Sequence, residues 1–534
     1  MKNKKLRALA AAGAAALALA SVPASMGARA DWQKLGYLGD LDRDQSLGMN
    51  DLVILSRHLL AQSPLTKENC YQVSGRELRI GEGESFQPGE YLENADLDQN
   101  GKVNVFDLIL LRQSIAEQNG REVWEYFEEQ QKEFISPPVS AVKGYLPSQG
   151  QAKLVILYVD FPDCPYNYAP SPEEIDEIAF GDEDTTDPNY PFDSMTAFYK
   201  RSSKGAMELS GKTFRYTAQK NLAEYNDVAG RQALVKEALK AFEDQADFTE
   251  FDGDNDGFID TTLLAVPTAA GDDNWWPCAG PVDDYNFSVD GKMIGHIITS
   301  NAQIESADNY YNFVSTHLHE MGHCMGLPDY YLFGTNDSEG MHGTAGSELM
   351  DTDATSDFSC VSKLQLGWYT KDQIQVFDQS QTSATFTLNN AQTDSGNVVV
   401  IPCGDLDEDY HSEYMLVEYT TKEGNNSKPA WFVNMGEGIR VYHVDATILD
   451  NGWWTSYKYA SGAADTNNDQ GRRLLRIIDD RDVDNLYRTG DVIDGSISGF
   501  HWYDGSGAQS VDTGVTISVG ELSDGAYQIT VDRK

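Results

Sequence analysis

The stretch THLHEMGHCMGLPDYY, residues 316–331, restricts the local fold more than any other part of the chain. His319 and His323 lie four positions apart, so on a helix both imidazoles share one face and can reach one cation. Gly326 can end that helix and let the chain double back, which carries Asp329 towards the same point. HExxHxxGxxD therefore predicts a helix, a reversal and a zinc site with three protein ligands: His319, His323 and Asp329. Glu320, turned away from direct ligation, is the expected general base; it would take a proton from the attacking water and deliver it to the leaving amine. His317 points off that face and reads as structural, and His342 reads as a solvated loop histidine.

At 534 residues the chain is too long for one ordinary core, and its first thirty residues read as a separate segment. MKNKKLRALAAAGAAALALASVPASMGARA has a basic start, an apolar run from Ala8 to Ala20 and an Ala28-Arg29-Ala30 ending. This is the pattern of a secretory signal peptide, so a soluble, exported mature protein is expected, and no later segment has the length of a membrane span. Against 40 Lys and Arg stand 84 Asp and Glu, a formal net charge of −44, which argues against nucleic acid as a partner because phosphate binding needs a basic surface. Most of the acidic excess reads as a solubilising surface, but some aspartates recur at spacings that suit calcium. The six cysteines contain no CxxC pair, which excludes a thiolate zinc ribbon. Export permits disulfides, and Cys324 with Cys360, which bracket the histidine segment, is the first pairing to test.

One internal repeat is present. GDLDRDQSLGMNDLVILSRHLL (39–60) and NADLDQNGKVNVFDLILLRQSI (94–115) each join a polar loop to an apolar helix. Oxygen-bearing residues fall at loop positions 1, 3, 5 and 12: Asp40, Asp42, Asp44 and Asp51, then Asp96, Asp98, Asn100 and Asp107. Such alternation supplies a calcium ion with side-chain oxygens and one backbone carbonyl. An EF-hand would place Glu at position 12 and a helix before the loop; here position 12 is Asp and no helix precedes it. With the duplication, this pattern resembles a type I dockerin over residues 31–118, although Gln45 replaces the usual Gly of the first loop. The resemblance implies a cohesin domain of a scaffoldin as partner, contacted at positions 10 and 11, here Met49, Asn50, Val105 and Phe106.

Residues 119–150 are polar and then proline-bearing, and read as a linker. AKLVILYVDFPD has the continuous apolar pattern of a buried strand, and GRQALVKEALKAFEDQ has helical spacing. Beyond Trp368, ATFTLNNA, NVVVIPC, EYMLVEYTT, GIRVYHVDA, GVTISVGEL and GAYQITVD are short β-rich runs between turns, which predict a C-terminal β-sandwich over 371–534.

HExxHxxGxxD, VILYVDFPD, FYKRSSKGAMELSG and EYMLVEY with GIRVYHVD together resemble the immune inhibitor A family of secreted bacterial metallopeptidases over most of 150–450. That resemblance implies an α+β zincin fold of metzincin type over 151–370, with Met350 of GSELMDTDA as a methionine turn beneath the zinc. It also implies calcium at FDGDNDGFID through Asp252, Asp254, Asp256 and Asp260, for which a solvated acidic turn is the alternative. The combined expectation is a multidomain chain: a small all-α calcium-binding dockerin, then a secreted zinc endopeptidase, docked to a cellulosome-like complex. The rival is a catalytically silent zincin-fold module that binds protein or carbohydrate in the same complex; the intact Glu320 favours the enzyme.

Overall fold

The computed structural model describes residues 30–37, 41, 49–60, 95, 103, 108–111, 122–128, 132–138, 143–267, 273–282, 286–331, 347–351, 356–428, 436–450, 455–460, 471–478 and 486–534. They fall into two units, Met1–Lys132 and Glu133–Lys534. Among the described residues no helix is long and apolar enough to cross a membrane.

In the first unit, helix α1 (Met49–Leu59) follows the first polar loop, as its apolar spacing predicts. Leu41, Ile54, Leu55, Ala95 and Leu111 form its apolar cluster; Leu55 and Leu111 hold the same position in the two repeats, and both are fully buried. Asp51, also buried, accepts a hydrogen bond from the Leu41 amide at 2.6 Å, which folds the first loop back on itself. Strand β1 (Ala30–Tyr37) pairs antiparallel with β2 (Glu122–Glu128), so the stretches flanking the repeats are joined. The remaining calcium-loop residues (Asp40, Asp42, Asp44, Asp96, Asp98, Asn100 and Asp107) lie outside the described residues, as do Val105, Phe106 and the side chains of Met49 and Asn50.

The second unit is built on a five-stranded sheet. Strands β3 (Gly150–Asp160), β4 (Met207–Thr217) and β5 (Phe258–Ala265) are followed by the short β6 (Cys278–Pro281) and β7 (Met293–Ser300), in the order β4-β3-β5-β7-β6. All run parallel except β6, which closes one edge antiparallel to β7. Helices α2 (Pro172–Phe180) and α3 (Met195–Ser203) cross from β3 to β4, and α4 (Val228–Phe242) crosses from β4 to β5. The apolar run of β3 is unbroken because both of its faces are covered. Leu154, Ile156 and Tyr158 enter the core that contains α5 (Tyr311–Cys324), while Val155, Leu157 and Val159 enter the core on the opposite face.

After α6 (Cys360–Gln365) the described elements are strands, apart from the short 3-10 turns Lys371–Gln373 and Gly424–Asn426. Strands β8 (Ile374–Val376), β9 (Ser383–Asn389), β10 (Val398–Pro402), β11 (Glu413–Thr420) and β12 (Gly438–Asp445) are followed by a small pair, β13 (Ile448–Asp450) and β14 (Thr455–Tyr457). Then come β15 (Leu475–Ile477), β16 (Val492–Ile493), a second small pair, β17 (His501–Tyr503) and β18 (Gln509–Asp512), and finally β19 (Val515–Ser523) and β20 (Ala526–Arg533). One sheet has the order β15-β12-β11-β10-β8 and the other β16-β19-β20-β9. The first is shared between two cores: Val398, Val400, Leu416 and Tyr442 join the α5 core, whereas Val399, Ile401, Val417 and Val441 pack with Ile517, Ile529 and Val531 of the second sheet. Residues 151–370 and 371–534 are therefore continuous through one apolar cluster.

The stretch before β3 is built into this unit. Ile135 donates to the Tyr369 carbonyl, the Gln149 amide group donates to the carbonyls of Ile135 and Gly367, and Trp368 donates to Ser148. The expected Cys324–Cys360 bond is absent; both cysteines are free and fully buried. Their surroundings differ, since the Cys324 thiol faces Thr261 of β5 and Cys360 lies against Glu418 of β11.

Candidate metal centre

Helix α5 ends as its sequence requires. Gly326 has φ +97°, and the amides of Gly326 and Leu327 return to the carbonyls of His323 and Gly322, at 2.9 and 3.0 Å. This pair of bonds satisfies the last turn of the helix and reverses the chain. The reversal also presents the Leu327 carbonyl to His323, whose Nδ1 lies 2.8 Å from it. His319 Nδ1 lies 2.8 Å from the Leu349 carbonyl. A carbonyl only accepts, so each Nδ1 carries a proton and each Nε2 is the nitrogen that faces Asp329, where a cation would displace its proton. Both Nε2 atoms stand 3.2 Å from Asp329 Oδ1.

Burial opposes charge on this group, but the mutual hydrogen bonds win. Asp329 is held well below the ordinary carboxylate range by His319 and His323, and His319 is raised by Asp329 and Glu320. Two imidazoles with fixed tautomers and one ionised carboxylate, all within 4.8 Å of one another, are the donor set that a zinc-type cation takes. Glu320 is buried beside His319, with 5 % of its surface exposed. His317 is fully buried, edge-on to Phe313, and burial depresses its pKa to about 3, so it is a neutral core residue. His342 lies outside the described residues.

Met350 lies beneath the helix. A Cβ on Gly322 would come within 2.3 Å of Met350 Sδ, so the glycine inside HEMGH is what lets the sulfur approach the helix backbone. The segment that carries Met350 does more than pack. The Leu349 carbonyl orients His319, and the Met350 carbonyl accepts from Tyr330, the neighbour of Asp329, at 3.0 Å. Sequence reasoning missed Glu348 and Tyr330; the signal was an acid and a tyrosine inside otherwise buried stretches.

The acidic turn before β5 behaves differently. Asp252, Asp254 and Asp260 converge, but Asp256 is outside that group and accepts from the Gly144 and Phe258 amides. Asp260 accepts from Gly253 and Lys153, tying β5 to β3, and burial pushes its pKa up to about 8. Lys292 is ion-paired with Asp252 and supplies positive charge there from the chain itself.

Residues 38–116 match the family model of the type I dockerin domain. The repeat is thus a dockerin. No curated protein matches the chain. Dockerin domains bind calcium, which the alternating loop oxygens suit.

Proposed function

We propose that residues 133–534 form a secreted zinc-dependent endopeptidase of zincin, metzincin-like fold, similar to the immune inhibitor A family, which the dockerin carries to a cohesin of a cellulosome-like scaffold. One observation carries the catalytic half: the convergence of His319 Nε2, His323 Nε2 and Asp329 Oδ1, with each Nδ1 proton committed to a backbone carbonyl. A zinc ion held there would supply Lewis acidity to the scissile carbonyl and to the attacking water. Glu320, buried against His319, accepts the proton of that water and returns it to the departing amine nitrogen. Met350 packs against the helix at Gly322, the residue before His323.

A peptide substrate has a place to lie. Strand β6 packs on α5, and its outer edge is joined by no other strand among the described residues. An extended chain can add to such an edge through backbone hydrogen bonds, which reads length and direction before side chains. In the dockerin, Val53 and Ile109 hold equivalent positions of the two repeats and are both exposed, an apolar pair suited to cohesin beside Met49, Asn50, Val105 and Phe106. A casein zymogram with and without a zinc chelator tests the enzyme: a clearing band that the chelator abolishes and zinc restores is expected. No clearing by zinc-loaded protein would instead favour a silent binding module.

A further inference from the structure

We propose that Glu348 is a positioning residue for the metal centre, holding the methionine-turn segment in the one placement that aims His319 and Asp329 at the cation. The inference rests on the metal-site reading above. Glu348 is fully buried, and its carboxylate accepts from three donors. Oε1 accepts from the Met350 amide at 3.2 Å and from the Ser362 hydroxyl at 2.8 Å, while Oε2 accepts from the Ser359 amide. A carboxyl group turns two oxygens towards these three donors, whereas a glutamine would turn an NH2 group towards one of them.

These bonds reach the ligands by two short routes. Through Met350, Glu348 fixes the turn whose Leu349 carbonyl holds His319 Nδ1–H and whose Met350 carbonyl holds the Tyr330 amide. Through Ser362, whose proton goes to Glu348, it takes the Tyr330 hydroxyl, with Oγ 3.1 Å from that oxygen. Tyr330 is thus gripped at its amide and at its hydroxyl, and Asp329 is the residue before it. Partners that orient metal ligands in this way typically matter 10–100-fold in metal affinity.

The experiment uses full-length wild type with Glu348→Gln, Glu348→Ala and Ser362→Ala. It reads the zinc dissociation constant by chelator competition, the visible absorption of the cobalt(II)-substituted protein, and urea unfolding of the metal-free protein. Glu348→Ala and Ser362→Ala should bind zinc about 10–100-fold more weakly with an altered cobalt spectrum. Glu348→Gln, which keeps one acceptor oxygen, should fall between them and wild type. Ser362→Ala keeps the test valid if Glu348→Ala fails to fold. Folded variants with wild-type zinc affinity and cobalt spectrum, differing only in urea midpoint, would overturn the positioning role while leaving the metal site standing. Wild type that binds neither metal would overturn the metal reading, and the positioning role with it.

Discussion

The dockerin and the larger unit present oxygen and nitrogen donors in different ways. In the dockerin the described apolar cluster is only Leu41, Ile54, Leu55, Ala95 and Leu111, and the buried Asp51 already closes its loop on Leu41. Dockerin domains bind calcium, and ion binding to loops that lack a preformed site contributes directly to folding. In the larger unit, apolar cores lie on both faces of the β3-containing sheet and between the two C-terminal sheets. His319, His323 and Asp329 are set in place there by backbone carbonyls and by one another. On the proposed function, calcium completes the dockerin, whereas the larger unit sets its three zinc-ligating side chains together before any ion arrives.

The largest expected effect breaks the two apart. Asp51→Ala with Asp107→Ala should abolish cohesin capture in a pull-down and leave casein hydrolysis within about twofold, since surfaces away from a site change little. Calcium removal should do the same to wild type. Capture that persists without calcium would show that the dockerin folds unaided and would erase the contrast.

Next in size is Asp329→Ala. Losing one of three ligands should weaken zinc by a factor of about 100 or more, read by elemental analysis after dialysis, while the circular dichroism of the unit stays native. Unfolding in place of simple zinc loss would mean that metal builds the second unit too.

The smallest effect concerns Glu348, whose burial raises its pKa from 4.5 to about 7 against the hydrogen bonds from Ser359 and Ser362. Between those values the folded protein keeps a proton that the unfolded chain gives up. The stability this group contributes is therefore complete below about pH 4.5 and lost as pH rises through about 7. Glu348→Gln should lack that slope, so its stability relative to wild type should improve by roughly 1–3 kcal/mol from pH 4.5 to 7.5 in urea unfolding of metal-free protein. Parallel curves would show that the carboxylate is ionised throughout.

The grouping of His319, His323 and Asp329 was legible because it is local: HExxH fixes one helical face, and the turn at Gly326 returns Asp329 to it. The strands after Trp368 were legible from their apolar runs, and the dockerin from its repeated oxygens. The sequence does not show tertiary partners. Nothing in GSELMDTDA says that Glu348 will meet Ser359 and Ser362, and nothing in YLPSQG says that Ser148 and Gln149 will bind Trp368 and Gly367. The Cys324–Cys360 pairing failed for the same reason: both thiols enter one core, but one meets Thr261 and the other Glu418.

The most direct test of the central claim compares wild type with Glu320→Ala, each purified free of other proteases, for zinc stoichiometry and for hydrolysis of a protein substrate. One zinc bound by the larger unit is expected in both proteins, with a loss of hydrolysis by a factor of about 100 or more in the variant. Full hydrolysis by Glu320→Ala, or a wild-type larger unit that takes up no zinc, would contradict it.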